Sequence, residues 1–379
     1  MSQQPNRFHV VVAGTTFGRK YLEAVEACPG AELVGILGRG SERTKRVAAR
    51  AGVPLYTDPA ELPVSVDVAC VAVRADVVGG SGTTLARRLL ERGISVLQEL
   101  PVSESEVASC LRIAAASGRG SEGAGAGVVY AVADFYLRLP AVQAFLGAAH
   151  ELAAAEPILA ISGHCSVQVG FPLAGILAEL PLLAHPARLA PVADSGGMIA
   201  GHLGSTAVNL QCTTALDPVD TDNNVQFPAL SLHTAAGVLR LADVHGPVTF
   251  TPTLRLPETT RSSDRFPAAE LTTPAAEELY SFAGSQGDCL AEQWPQAMAH
   301  EIAAVAGAEG TLDPARAQRT LAAAAVWENL NRGAGFPTPM RGHIFGGEQQ
   351  RTLIQRLRAA ARPLADTPST TNTSEGRNE

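Results

Sequence analysis

Apolar residues in the first part of the chain fall in short runs rich in β-branched side chains: Phe8–Val12, Leu33–Leu37, Val66–Val73, Ile94–Leu97 and Val128–Ala133. Between them the spacing turns helical, over Arg19–Ala27, Glu42–Ala51, Gly82–Arg92 and Glu104–Ala116. Unbroken apolar runs alternating with helices predict strands buried on both faces and joined by crossover helices, hence a parallel sheet. The glycine-rich stretch Gly118–Gly127 predicts a loop before the last of these strands.

The pattern changes near Pro140. Residues 141–154 and 166–184 read as helices. Longer β-rich stretches follow at Ser205–Ala215, Ala229–Thr234, Gly237–His245 and Val248–Leu256, joined by turns such as Ala235-Ala236-Gly237 and His245-Gly246-Pro247. Consecutive strands without helices between them predict an antiparallel sheet. Residues 257–293 read as loop, 294–308 and 313–331 as helices, and 349–362 as an Arg-rich amphipathic helix. The composition beyond Pro363 predicts a disordered tail. The expected organisation is an α/β chain with one domain over 1–133, a second over 134–362 and a tail over 363–379.

Composition narrows the function classes. A length of 379 residues suits two or three domains. The net charge of −8, with no clustered basic face, points away from nucleic acid. No apolar stretch reaches the roughly 20 residues of a membrane span, and the first residues carry no export signal. Cys28, Cys70, Cys110, Cys165, Cys212 and Cys289 stand singly, a usage that predicts reduced thiols and a cytoplasmic protein rather than disulfides or a zinc site. Only Lys20 and Lys45 of the 29 basic residues are lysines, so a lysine acid, base or Schiff-base former must be one of those two.

The first strand runs straight into Ala13-Gly14-Thr15-Thr16-Phe17-Gly18 and then a helix. That turn is where a doubly wound fold seats a dinucleotide pyrophosphate on a helix N-terminus. Aligned on Gly18 the fingerprint is degenerate, A-x-T-x-x-G, and an ordinary strand–helix turn is the competing reading. About 20 residues further on, an NAD enzyme carries a carboxylate for the ribose 2′-hydroxyl. Here stand Gly38, Arg39, Ser41 and Arg43. Guanidinium groups and a hydroxyl suit a 2′-phosphate, which predicts NADPH. Ser41 alternatively caps the following helix.

Residues 93–101, Gly-Ile-Ser-Val-Leu-Gln-Glu-Leu-Pro, resemble the G-K-H-V-x-x-E-K-P segment of the glucose–fructose oxidoreductase family. The resemblance implies an N-terminal Rossmann domain followed by a C-terminal α/β domain with an open, mainly antiparallel sheet. Where that family carries lysine, this chain has Leu100. The likeness is closer to one branch, the thiazolinyl imide reductases of siderophore biosynthesis. It is carried by Gly14-Thr15-Thr16-Phe17-Gly18-Arg19, Gly38-Arg39-Gly40-Ser41-Glu42-Arg43, Val96-Leu97-Gln98-Glu99 and Phe135-Tyr136-Leu137-Arg138-Leu139-Pro140-Ala141-Val142. Leu216-Asp217-Pro218, Asp222-Asn223 and His245-Gly246-Pro247 extend it into the second domain. That branch has histidine at the lysine position, so Leu100 departs from it too.

The branch implies hydride transfer from NADPH to a thiazoline C=N, giving a thiazolidine. The substrate would be tethered to a peptidyl carrier domain of a nonribosomal peptide synthetase, and the enzyme would be a homodimer. The cofactor candidates are Gly14, Thr15, Thr16, Phe17, Gly18, Arg39, Ser41 and Arg43, joined by Val73, Arg74, Gln98 and Glu99. Reduction also needs a proton for nitrogen. Tyr136 is the first candidate donor, since it follows the last strand of the first domain, and His164, read as preceding a helix over the cleft, is the second.

Other residues read more simply. Tyr130 reads as core, and His245 as part of a turn. His202 lies in Gly196–Thr206, a run that mimics the wider family's G-G-x-x-x-D-x-G-x-H by accident, because Ser205–Ala215 reads as a strand. Asp217, Asp220, Asp222, Asn223 and Asn224 read as turn chemistry rather than a metal site, and no metal is expected. Arg138 and the arginines of the last helix either meet the carrier or are solvated. Two further functions stay open: reduction of a free small cyclic imine or carbonyl compound, and a cofactor-binding docking protein without turnover.

Overall fold

The computed structural model describes residues 7–117, 127–182, 188–192, 197–216, 225–261, 271–307, 313–335, 338–339 and 346–361. The apolar runs of the first domain become β1 (Phe8–Ala13), β2 (Ala31–Leu37), β3 (Leu55–Tyr56), β4 (Val68–Val71), β5 (Ser95–Glu99) and β6 (Tyr130–Ala133). They pair in parallel in the order β3-β2-β1-β4-β5-β6. Val68–Val71 are wholly buried, as expected of a strand covered on both faces. The crossovers carry α1 (Gly18–Ala27), α2 (Glu42–Ala51), α3 (Gly82–Glu91) and α4 (Glu104–Ser117). Strand order reverses between β1 and β4, and such a switch point opens a crevice at the strand C-termini.

The second part begins with α5 (Pro140–Ala155), whose first turn holds Pro140, a residue suited to that position. β7 (Ala160–Ser166), α6 (Gly170–Glu179), β8 (Arg188–Pro191), β9 (Met198–Leu203) and β10 (Thr206–Thr213) follow. After β11 (Ala215–Leu216) come β12 (Ala229–His233), β13 (Gly237–Leu241), β14 (Val248–Pro252) and β15 (Glu277–Tyr280). An eight-stranded sheet runs β15-β14-β13-β12-β7-β10-β9-β8, antiparallel throughout except for β7 beside β10. Along β10 the residues Thr206, Val208, Leu210 and Cys212 are buried, while Asn209 between them is exposed, so one face packs and the other is open.

The C-terminal helices are α7 (Gln286–Asp288), running through a π turn into α8 (Trp294–Ala306), then α9 (Pro314–Ala334) and, after β16 (Thr338–Pro339), α10 (Gly347–Ala360). α8 does not stay with the second sheet. It lies against α1 and under β5, burying Ala297, Met298, Ile302 and Val305, and the Cys28 thiol donates to the Ala299 carbonyl at 3.5 Å. α9 packs on α6 and α4 and so bridges the two sheets.

Several expectations need correction. The helix expected over 166–184 starts only at Gly170, because residues 160–166 form β7. Polar Ser162 and His164 with Gly163 hide that strand in the sequence. β8, β9 and β15 were not foreseen either, the last inside the supposed loop 257–293. The run around His202 is the β9–β10 hairpin, in keeping with the strand read over 205–215. The glycine-rich stretch at 118–126, Asp217, Asp220, Asp222, Asn223, Asn224 and the tail from 363 lie outside the described residues. Among the described residues no helix is long and apolar enough to cross a membrane. No group of three or more His, Cys, Asp or Glu among them could hold a metal ion.

Candidate active site at the strand C-termini

The β1–α1 turn is shaped by close approach to the β4–α3 loop. Gly14 has φ +91°, and a Cβ there would lie 2.7 Å from the Ala72 carbonyl oxygen and 3.2 Å from Val73. Only glycine takes this place without strain. A Cβ on Gly18 would meet Val12 at 3.3 Å, so this glycine lets α1 lie close on β1. The tight-turn role of the fingerprint therefore falls on Gly14, one residue after the Ala13 that the alignment on Gly18 assigned to it. The first turn of α1 carries no acidic residue, which leaves its positive end open to an anion.

Around the turn the cationic side chains gather. Arg43 Nη1 donates to Thr16 Oγ1 at 3.1 Å, and Arg19 Nε to the Thr16 carbonyl at 3.2 Å. Thr15 Oγ1 and Thr44 Oγ1 are hydrogen-bonded at 3.2 Å, tying the turn to the start of α2. Ser41 caps α2 by accepting from the Thr44 amide at 3.3 Å, so the capping reading holds for it. Arg39 is exposed on the same loop. Val73 packs beside Gly14, and Arg74 stands exposed next to it.

At the end of β5 the two residues of the motif part company, because successive strand side chains face opposite ways. Gln98 is wholly buried on the α3–α4 side. Its Oε1 accepts from the Tyr130 hydroxyl at 2.9 Å, and its Nε2 donates to Thr83 Oγ1 at 2.9 Å. Thr83 donates onward to Glu106 at 3.0 Å, which also accepts from the Ser103 amide and hydroxyl, both at 2.8 Å. Gln98 is thus a member of a closed internal network rather than a cofactor contact, and Tyr130 belongs to the core as expected.

Glu99 faces the other way. It is half-buried and accepts a short hydrogen bond from the Tyr21 hydroxyl of α1. Burial pushes its carboxyl up to about 8, against the pull of the Tyr21 hydroxyl and the Leu100 amide. Tyr21 in turn meets Phe17 edge-on at 6.2 Å, so the turn, α1 and Glu99 form one contiguous wall. Leu100, half-buried, packs on the core. Lys20 pairs with Glu23 at 2.8 Å and Lys45 with Glu42 at 2.9 Å, so both lysines are engaged in ion pairs of their own helices.

Tyr136 sits on a short turn after β6, only 6% exposed. Its ring stacks on Phe135 at 4.3 Å and meets Trp294 at 5.7 Å and Phe227 at 6.1 Å. Burial raises its pKa well above 10, and Glu99, Asp134 and Asp243 push the same way. Among the described residues its hydroxyl has no hydrogen-bond partner, whereas Tyr21 and Tyr130 have theirs. His245 closes the aromatic wall. Trp294 Nε1 donates to its Nε2 at 3.0 Å, which puts the ring proton on Nδ1, facing Asp243 Oδ1 at 2.8 Å. The turn residue of the sequence reading is therefore also a clamp between the β13–β14 turn and α8.

His164 lies elsewhere. It is exposed mid-strand in β7, paired with Gln211 and Ala229, on the face opposite buried Ile161 and Cys165. It does not join Tyr136. Tyr21, Phe227 and Trp294 escaped the sequence reading. Tyr21 alone had a signal, its spacing of four from Phe17 on the sheet-facing side of α1.

Residues 8–120 match the model of the Gfo/Idh/MocA family, described as an oxidoreductase family with an NAD-binding Rossmann fold. The match covers β1 to β5 and their crossover helices. No curated protein matches the chain. Among solved structures, the 3-ketoreductase KijD10 from Actinomadura kijaniata, in complex with TDP-benzene and NADP, is 17% identical, with 89% of this chain and 100% of that one covered at a TM-score of 0.60. An oxidoreductase from Agrobacterium radiobacter, in complex with NAD+, L-tartaric acid and magnesium, is 13% identical, covering 87% and 96% at 0.61. GenD2 from gentamicin A biosynthesis, in complex with NAD, is 15% identical, covering 88% and 95% at 0.59. At such identities the likeness establishes the two-sheet fold.

Proposed function

We propose that the chain is an NADPH-dependent reductase of a thiazoline C=N, acting in the cytoplasm on a substrate held by a peptidyl carrier domain of a nonribosomal peptide synthetase. The observation that carries this reading is the pairing of Leu100, at the position where the family it resembles carries lysine, with the buried Tyr136 hydroxyl, unpartnered among the described residues. A site without lysine has lost the group that serves sugar-alcohol oxidation. It keeps a phenol able to protonate a strongly basic nitrogen.

The residues present fit a dinucleotide: a turn with no room for a Cβ at Gly14, a helix N-terminus free of acid, and arginines at the 2′-phosphate position. Backbone amides of Gly14–Gly18 would hold the pyrophosphate, and Arg39 and Arg43 the 2′-phosphate. When bound, the nicotinamide supplies the hydride. The chain's own part is to exclude water with the Phe135–Tyr136–Phe227–Trp294 wall and to give the Tyr136 proton to the ring nitrogen. Because burial holds the Tyr136 pKa high, the hydroxyl yields its proton only to a base as strong as the amide-like nitrogen that hydride addition creates. A homodimer through the open face of the second sheet belongs to the same proposal.

The likeness to a 3-ketoreductase supports a second reading, reduction of a free small carbonyl or cyclic imine compound. NADPH absorbance decides between them. Consumption with an aryl-thiazoline loaded on a carrier domain, and little with the same group as a free thioester mimic or with small ketones, is the expected result. Consumption with ketones alone favours the second reading, and tight NADPH binding with no turnover on any of the three favours a docking protein.

A further inference from the structure

Beside β6, away from the β1–α1 turn, a cavity of about 150 Å³ opens between α6, α8 and α9. Its wall carries Arg138, Arg316 and Arg319 together with Asp134, Glu179 and Glu301. Arg138 Nε meets Glu301 at 2.6 Å, Arg316 Nη2 meets the other Glu301 oxygen, and Arg319 Nε meets Glu179 at 2.6 Å. Arg319 Nη2 also lies 3.8 Å from Asp313, just before α9. The third acid of the lining is the exception: Asp134 is 9% exposed, lines the cavity, and its buried Oδ1 has no hydrogen-bond partner among the described residues.

Its other oxygen rests against Gly175 of α6, where a Cβ would lie 1.9 Å from Asp134 Oδ2. The glycine makes the place for this carboxyl. Burial first, and then Glu301, Glu99 and Glu179, raise the Asp134 pKa against the opposing pull of Arg316. That direction favours the protonated carboxyl, whose hydroxyl can donate. Donors are in excess. Each guanidinium has five N–H groups, and the ion pairs leave several of them on each arginine.

We propose that this cavity binds a small monoanion of the carboxylate kind, accepting from the Asp134 acid and from the arginine N–H groups left free by the ion pairs. Such a ligand supplies the missing partner for Oδ1. A metal cation would face three guanidinium groups and is excluded by the same account. The side chains of Arg138 and Arg319 are 42% and 39% exposed, so the cavity opens to solvent past them.

The test needs no turnover. Carbon-13 acetate is titrated into the full chain at fixed ionic strength, with chloride as the reference anion, and its NMR line width is followed. Saturable broadening by acetate, competed by formate but not by chloride, is expected, with a matching rise in the melting temperature. Arg319→Gln, at a half-exposed ion pair, should weaken acetate about tenfold or more while the circular dichroism spectrum stays native. In the wild type, binding should fall as pH rises and Asp134 ionises among Glu99, Glu179, Glu301, Arg138, Arg316 and Arg319. Asp134→Asn should bind with a flat pH profile. Broadening by chloride equal to that by acetate, or acetate binding untouched by Arg319→Gln, overturns the site. A wild-type profile as flat as that of Asp134→Asn overturns the acid–anion contact.

Discussion

Tyr136 combines features that rarely coexist in one buried side chain: a ring enclosed by aromatic neighbours and a hydroxyl without a hydrogen-bond partner among the described residues. Removing that hydroxyl with Tyr136→Phe should keep the packing and the NADPH affinity. Where chemistry limits, turnover should fall about 10²–10⁴-fold, read by single-turnover loss of NADPH absorbance. Glu99 makes a pH-dependent contribution. Its folded pKa of about 8 lies above its ordinary 4.5, so the folded state holds a proton that the unfolded state has lost. The stability this lends is complete below about pH 4.5 and is lost as pH rises through about 8, by at most about 1.4 kcal/mol per pH unit. Urea midpoints at acid, neutral and mildly alkaline pH should show this decline in the wild type and a flatter one in Glu99→Gln. The neighbouring residue behaves differently. Gln98→Ala should cost about 1–3 kcal/mol, because Tyr130 and Thr83 lose their partner, while the NADPH dissociation constant stays unchanged in a fluorescence titration. The motif placed Gln98 and Glu99 together at the end of a strand, and that much was legible. Which of them faces the cleft depends on strand parity relative to helices from distant sequence, and Tyr21, which holds Glu99, is 78 residues away.

At the scale of elements, the strand–turn–helix at the start of the chain was readable because its signals are local: an apolar run, small residues and an amphipathic helix. The loop after β2, proposed to hold a 2′-phosphate, was readable as a loop for the same reason. Its test is the double substitution Arg39→Ala with Arg43→Ala, which should weaken NADPH about ten- to hundredfold and NADH hardly at all, measured by parallel binding titrations. Equal losses for both cofactors would mean that the arginines serve the turn alone. β7 shows where local reading fails. Its outward residues Ser162 and His164 and its inward Gly163 give no apolar alternation, and the strand exists because β10 and β12 pair with it on either side. His164, read as a cleft residue ahead of a helix, was displaced to the open sheet face by that pairing.

At the scale of the whole molecule, the boundary at 133 divides the sheets but not the packing. The strands of the first sheet lie within residues 8–133, and those of the second within 160–280, yet α8 covers the first domain from residues 294–306. No hydrophobic period in the sequence says which sheet a late helix will choose. Residues 1–133 expressed alone should therefore expose the α1 face that α8 buries, bind a hydrophobic dye and unfold with low cooperativity, whereas the full chain should show a sharp transition by circular dichroism. The same packing orders events during synthesis. Roughly 160 residues separate the end of β6 from the start of α8, and at 5–20 residues per second the ribosome needs roughly 8–30 s to deliver them. Over that interval the nascent N-terminal half carries an open apolar flank, which makes the yield of native protein in a cell a matter of chaperone supply as much as of the final stability.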